Sequence, residues 1–317
     1  MINILVTPSD NYTMPCGVMF YSACVNNPQG SLHFFVVTDG EFTEESKNKL
    51  RQTVEPFDNK IDFCIVDEGV ISQAASVACV YYPRYVFYRL LAFKFLPSDI
   101  DRILYLDCDI IIRKPLQELW NIDVSSYGIA GVPDVFEGNI AHYNRLEYPS
   151  QEGYFNAGVI LMNLQYWRSN DIEKQVIAIL NEQHDKLKFH DQDVLNLVFH
   201  DCKLRLPIKF NVQSGFYYKK QFYGFEYNKY KAELEEGRIA PVILHLCGSQ
   251  PWSKGCTHPL KDEFFKYQKE TLWQNEPLWK NRRRLGKRII DKFRKPLRRF
   301  GVSSIEDPYD RTIKLLP

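Results

Sequence analysis

The chain reads as an α/β domain built on a mostly parallel sheet with helices on both faces. Short apolar, β-branched runs alternate with helix-like stretches through residues 2–106. Prolines and polar turn residues punctuate many of these stretches. With 317 residues, 45% of them apolar, the chain is long enough to bury the core such a sheet needs.

The elements follow in order. Ile2–Val6 is a short apolar run ended by Pro8, a buried strand. Residues 15–26 read as a helix. Leu32–Thr38 is β-branched and aromatic, hence a strand. Residues 43–55 read as a helix, with Thr43 and Ser46 near its start and Pro56 beyond its end. Residues 61–66 are a third strand, residues 85–95 a helix closed by Pro97, and Arg102–Leu106 a fourth strand. After residue 110 the pattern loosens. Strands are expected at 128–132, 157–163 and 242–246, and helices at Ile172–Glu182 and 192–199. From Leu260 onward the chain looks helical and increasingly basic.

Composition narrows the partners. Lys plus Arg number 40 against 39 Asp plus Glu, and a net charge of +1 gives no global pull toward nucleic acid. Eight cysteines without a Cys-x-x-Cys pair point to buried free thiols in a reducing compartment. Residues 1–7 lack a basic n-region, and no apolar run approaches the roughly 20 residues of a membrane span. The expected address is the cytoplasm.

In parallel sheets ligands bind beyond the carboxyl ends of the strands. Two segments occupy that position, residues 7–12 after the first strand and Asp107-Cys108-Asp109 after the fourth. The chain holds three Asp-x-Asp spacings, at 99/101, 107/109 and 191/193, so the spacing alone selects nothing. Asp99 and Asp101 sit in a polar turn. Asp107 and Asp109 lie between the apolar runs 102–106 and 110–112, where two carboxylates are costly to desolvate without a partner. A hard divalent cation supplies the compensating charge, and in an extended segment residues two apart face the same way. The bland alternative is a pair of strand-end aspartates bonded to backbone amides. His245 ends another apolar run; a histidine so placed is either a core residue or a third ligand.

Several segments in order resemble glycosyltransferase family 8, which includes bacterial lipopolysaccharide α-galactosyl- and α-glucosyltransferases and glycogenin. They are Val6-Thr7-Pro8-Ser9-Asp10-Asn11-Tyr12, Tyr88-Arg89, Ile103 to Asp109 with Leu119-Trp120 after it, Tyr154 to Asn163, Asp191-Gln192-Asp193 to Asn196, and His245-Leu246-Cys247-Gly248 with Pro251-Trp252 beyond. The resemblance covers residues 2 to about 260. It implies a single-sheet, Rossmann-like fold of GT-A type for a catalytic domain over residues 1–275. It implies a retaining, metal-dependent transfer of galactose or glucose from UDP-galactose or UDP-glucose to a saccharide or lipid-linked saccharide. Asp107, Asp109 and His245 are implied to bind Mn²⁺, with Mg²⁺ as the substitute. Thr7, Ser9, Asn11 and Tyr12 are implied to receive the uridine. Arg89, Cys108, Asp134, Asn156, Ala157, Asp191, Gln192 and Gly248 are implied to contact the donor, with Asp191 and Gln192 as the catalytic pair.

Two departures stand out. Family members often carry a lysine immediately before the Pro-Trp pair; here Gln250 stands there, and Lys254 is the candidate substitute. Ser9 stands where the galactosyltransferases carry an aspartate facing the uracil. The rival readings are a sugar-nucleotide pyrophosphorylase, for which residues 7–17 hold only Gly17 and no Lys or Arg, an aspartate-nucleophile phosphatase, whose Asp-x-Asp would follow the first strand rather than the fourth, a non-enzymatic lectin-like or scaffold protein, and a sugar-nucleotide-binding protein of the same fold with impaired catalysis.

Residues 276–317 form a basic C-terminal segment. Between Lys280 and Arg299 there are eleven Lys or Arg and one acid, with Leu285, Ile289, Phe293 and Leu297 spaced by four. That is the pattern of a helix lying on an anionic membrane surface, peripheral on the inner face of the cell membrane; the alternatives are a solvated helix packed on the domain and nucleic-acid contact.

Overall fold

The computed structural model describes residues 1–67, 69, 85–219, 226–248, 250–280 and 308–317. Its strands are β1 (Ile2–Val6), β2 (Leu32–Thr38), β3 (Lys60–Ile65), β4 (Arg102–Leu106), β5 (Ile110–Ile112), β6 (Ile129–Pro133), β7 (Phe155–Asn163), β8 (Lys203–Arg205), β9 (Val212–Gln213) and β10 (Ile243–His245). Its α-helices are α1 (Thr13–Val25), α2 (Glu44–Val54), α3 (Tyr85–Leu91), α4 (Gln117–Trp120), α5 (Ile140–Leu146), α6 (Leu164–Ser169), α7 (Ile172–Glu182), α8 (His190–Val198), α9 (Tyr227–Ile239) and α10 (Lys261–Gln268).

Seven strands form one sheet in the order β3-β2-β1-β4-β7-β6-β8. All run parallel except β7, which is antiparallel to both β4 and β6. The expected mostly parallel sheet is therefore present. A small second sheet, β5-β10-β9, joins residues far apart in sequence.

The two-residue period of the strands builds two core layers. Ile4, Val6, Phe34, Val36, Leu104 and Leu106 pack on the side of α1. Leu5, Phe35, Val37, Ile103 and Tyr105 pack on the side of α3, α7 and α8. Helix α1 is buried along nearly its whole length, because it shares a core with the main sheet, as where Phe20 meets Phe34, and is flanked by α2, β5 and α10. Gly17 on this helix is a packing requirement: a Cβ there would lie 2.1 Å from Trp273. Helix α2 has one buried face, is capped by Thr43 accepting the Ser46 N–H, and carries Glu44 and Glu45 in its first turn.

Several boundaries differ from expectation for physical reasons. Helix α1 starts at Thr13 rather than 15, since Pro15 in the first turn removes an N–H that has no intrahelical partner anyway. The 85–95 helix tightens into a 3₁₀ turn at Ala92–Lys94. Strand β7 begins at Phe155, two residues early, and its register with β6 shifts between Gly131 and Pro133. Beyond Leu260 only α10 is helical among the described residues; 269–280 form turns and extended chain, with Trp273 buried and the Trp279 N–H bonded to Trp252 O at 2.7 Å. The apolar stripe from Leu285 to Leu297 lies outside the described residues. The chain is described again from Pro308, where the Asp310 N–H donates to Tyr217 O at 2.8 Å. Of the described cysteines, Cys16 and Cys24 are buried and the others half-buried, all as free thiols. Among the described residues no helix is long and apolar enough to cross a membrane.

Candidate active site

Strands β1 and β4 are neighbours and parallel, so the segments that follow them share one sheet edge. Thr7 Oγ1 lies 3.4 Å from the Tyr105 hydroxyl, and that hydroxyl donates to Asp107 Oδ1 at 2.8 Å. Residues 107–109 form a turn between β4 and β5 rather than the extended segment expected. Both carboxylates nevertheless converge, because β5 pairs antiparallel with β10 and brings His245 across from Ile110. His245 Nε2 is 3.2 Å from Asp109 Oδ1 and 3.8 Å from Asp107 Oδ2. One ligand atom from each of the three lies within 4.8 Å of the others.

This set fits a hard divalent cation. It offers two carboxylate oxygens and one imidazole nitrogen at a partly open edge. Gly158 clears the floor: a Cβ there would lie 2.2 Å from His245 Cε1 and 2.9 Å from Asp107 Oδ2. Burial works against a charge on both His245 and Asp109, yet their mutual attraction prevails, raising the imidazole and lowering the carboxyl.

Arg89, on α3, supplies a fixed cation beside this cluster. Its guanidinium pairs with Asp107 Oδ1 at 3.0 Å and Asp191 Oδ2 at 2.9 Å, donates to Ala157 O at 3.2 Å, and lies 4.3 Å from the Tyr105 ring centre. Burial pushes the Asp191 carboxyl up to about 6, against the pull of Arg89.

Asp134, Asn156, Ala157 and Gln192 form one hydrogen-bonded group. Gln192 Oε1 accepts from Ala157 N at 3.0 Å and Asn156 Nδ2 at 3.2 Å; Gln192 Nε2 donates to Asp134 Oδ2 at 3.3 Å and to the Tyr154 hydroxyl at 3.2 Å. Asn156 Nδ2 also donates to Asp134 Oδ2 at 2.9 Å. Burial raises the Asp134 carboxyl. Asp193, fully buried, accepts from both terminal nitrogens of Arg145, from the Tyr154 hydroxyl, and from the backbone N–H groups of Lys188 and Phe189. It thereby secures the start of α8 next to His190, whose φ is 48°.

The uridine-loop candidates divide. Thr7 reaches the Tyr105–Asp107 pair, and Asn11 is exposed. Tyr12 is held by Gln250 Nε2, which donates to its hydroxyl at 2.8 Å, and by edge contacts with Trp252 and Trp279. Gln250, at the expected lysine position, thus ties the C-terminal part to the segment that follows β1. Lys254 is exposed. Gly248 adopts φ 72°, a conformation natural to glycine, and Cys108 sits in the turn between the two aspartates. Asp99 and Asp101 are exposed, as expected of a solvated turn.

Sequence reasoning missed Asn211, which accepts from His245 Nδ1 at 2.9 Å, as well as Tyr105 and the Arg145–Asp193 pair. Asn211 carries no spacing signal, since it precedes a two-residue strand.

The profile described as Glycosyl transferase family 8 matches residues 3–256. General stress protein A of Bacillus subtilis is 29% identical over 277 residues, covering 86% of this chain and 95% of that protein. Lipopolysaccharide 1,3-galactosyltransferase of Salmonella typhimurium is 27% identical over 286 residues, covering 86% and 79%. Among solved structures, galactosyltransferase LgtC, in complex with donor and acceptor sugar analogs, superposes with a TM-score of 0.74 at 24% identity, covering 86% of this chain and 96% of that one. The shared fold is the GT-A type.

Proposed function

The chain is a hexosyltransferase belonging to glycosyl transferase family 8, and we propose that its donor is UDP-galactose or UDP-glucose and its acceptor a saccharide of lipopolysaccharide or another cell-surface glycan. The convergence of Asp107, Asp109 and His245 beside Arg89, at the sheet edge where β1 and β4 end, carries this reading. The named lipopolysaccharide transferases among its relatives support the acceptor class.

On this reading Asp107, Asp109 and His245 hold Mn²⁺ or Mg²⁺. Bound there, the cation supplies Lewis-acid stabilisation of charge on the leaving diphosphate. Arg89 adds a fork of donors to the same phosphates. Thr7, Ser9, Asn11 and Tyr12 take the uridine side. Asp134, Asn156, Ala157 and Gln192 orient the sugar hydroxyls, with Cys108 and Gly248 on the walls. Asp191 faces developing positive charge on the sugar.

Retention by double displacement needs a nucleophile on the ring's far face. The Gln192 oxygen already accepts two hydrogen bonds, which supports a positioning role instead. The acceptor hydroxyl then attacks on the leaving-group side and passes its proton to the departing phosphate oxygen. Donor hydrolysis across a panel of UDP- and GDP-sugars, with and without Mn²⁺, tests the assignment. Turnover confined to UDP-hexoses and dependent on the metal supports it; equal turnover after chelation contradicts it.

We also propose that residues 1–275 are the catalytic domain and that the basic segment within 280–300 docks on an anionic membrane surface, the protein working at the cytoplasmic face. The local excess of eleven cationic residues over one acid supports this. Liposome flotation tests it: equal recovery with anionic vesicles after neutralising those residues contradicts it.

A further inference from the structure

A run of buried amides stands behind the metal-ligand cluster, and one backbone group orients it. The Gly158 N–H can only donate, and it meets Asn156 Oδ1 at 3.0 Å. The Asn156 oxygen therefore faces Gly158 and, at 2.9 Å, one side-chain atom of Asn211. That atom must be the Asn211 amide nitrogen, since two carbonyl oxygens in contact would repel. Asn211 is 0% exposed, so no bulk water relieves a mismatch. Its oxygen is then left to face His245 Nδ1 at 2.9 Å. An acceptor at that point keeps a proton on Nδ1 and presents Nε2 to Asp109 and Asp107.

We infer that Asn211 is a positioning residue that sets which nitrogen of His245 is offered to the metal. The inference rests on the proposed metal role of His245. The same amides continue through Asn156 to Asp134 and Gln192, where the neighbouring Ala157 N–H fixes the Gln192 oxygen as that of Gly158 fixes Asn156, so two adjacent N–H groups on β7 orient the metal ligand and the sugar-facing group. Asn211 itself lies outside the sheet that carries Gly158, one residue before β9, which pairs with β10.

Mn²⁺ binding followed by electron paramagnetic resonance tests this on the full chain, using the metal alone. Asn211→Leu removes the acceptor and is expected to weaken Mn²⁺ binding by about 10- to 100-fold, the range typical of lost outer-shell partners. Asn211→Asp keeps an acceptor toward Nδ1 but sets an oxygen where the amide nitrogen donated to Asn156, so it is expected to bind Mn²⁺ more tightly than Asn211→Leu and more weakly than wild type. Proton NMR of the wild-type protein at neutral pH is expected to show a protected, downfield ring N–H that ¹⁵N correlation assigns to His245 Nδ1. Undiminished Mn²⁺ affinity in Asn211→Leu, Asn211→Asp binding no more tightly than Asn211→Leu, or an unprotonated Nδ1 overturns the inference. If Asn211→Leu does not fold, the ring proton decides. Wild-type protein that binds no Mn²⁺ instead retires the metal reading, while the ring-proton assignment still reports on Asn211.

Discussion

Gln192 accepts the backbone N–H of Ala157 on its amide oxygen at 3.0 Å, and the side chain of Asn156 reaches the same oxygen at 3.2 Å. An oxygen so engaged orients its neighbours and is poorly placed to attack a sugar. Gln192→Ala is therefore expected to lower kcat by about 10²-fold, the scale of misplacing a substrate, and not to abolish turnover. Intact-mass analysis of the wild type during turnover is expected to show no covalent hexose. An adduct mapped to Gln192 or Asp191 would contradict front-face attack.

Gly158 lies against His245 and Asp107, two of the proposed metal ligands. Gly158→Ala places a methyl where these side chains already are, forcing them apart. The expected cost is about 1–3 kcal/mol of stability from overpacking, with at least a tenfold loss of Mn²⁺ affinity, on the order of an outer-shell lesion. Thermal melts and metal titration read the two effects separately.

Arg89 joins Asp107, Asp191 and the Ala157 carbonyl through one planar group. A lysine cannot span these partners, so Arg89→Lys is expected to behave more like Arg89→Met than like wild type. Donor-hydrolysis rates in the three proteins check this; near-complete rescue by lysine would show that only the charge matters.

His258 gives a pH effect on stability that is independent of the active site. Its ring is buried, with Nδ1 accepting the Leu260 N–H at 3.0 Å, and burial, helped by Arg311, lowers its pKa from 6.5 to about 4. The unfolded chain binds the proton first, so stability is full above about 6.5 and falls as the pH drops toward 4. The loss is on the order of 3 kcal/mol. In urea melts across that window, His258→Asn, which keeps an acceptor for Leu260, is expected to show a shallower pH dependence.

Much of the fold was legible because the strands at the centre of the sheet are buried on both faces and read as apolar runs. Ile2–Val6, Leu32–Thr38 and Arg102–Leu106 have the bounds their composition suggests. The short strands β5, β8 and β9 were not legible, being too brief for a period to show. Asp-x-Asp at 107/109 and at 191/193 looks alike in sequence, and geometry separates the two. On helix α8, residues two apart diverge, so Asp191 reaches Arg89 while Asp193 turns to Arg145. In the β4–β5 turn both carboxylates meet one histidine. Asn211 illustrates what a sequence conceals: its role comes from contacts to residues 34 and 55 positions away.

The central claim is that Asp107, Asp109 and His245 hold a dication that grips the diphosphate of a UDP-sugar. Calorimetric titration of UDP into the full-length protein, with and without Mn²⁺, tests it most directly. UDP is expected to bind at least about tenfold tighter with the metal, a gain of about 1.4 kcal/mol or more, and Asp109→Asn is expected to erase that gain while leaving metal-free binding unchanged. UDP affinity indifferent to Mn²⁺, or a metal gain that survives Asp109→Asn, would contradict the account.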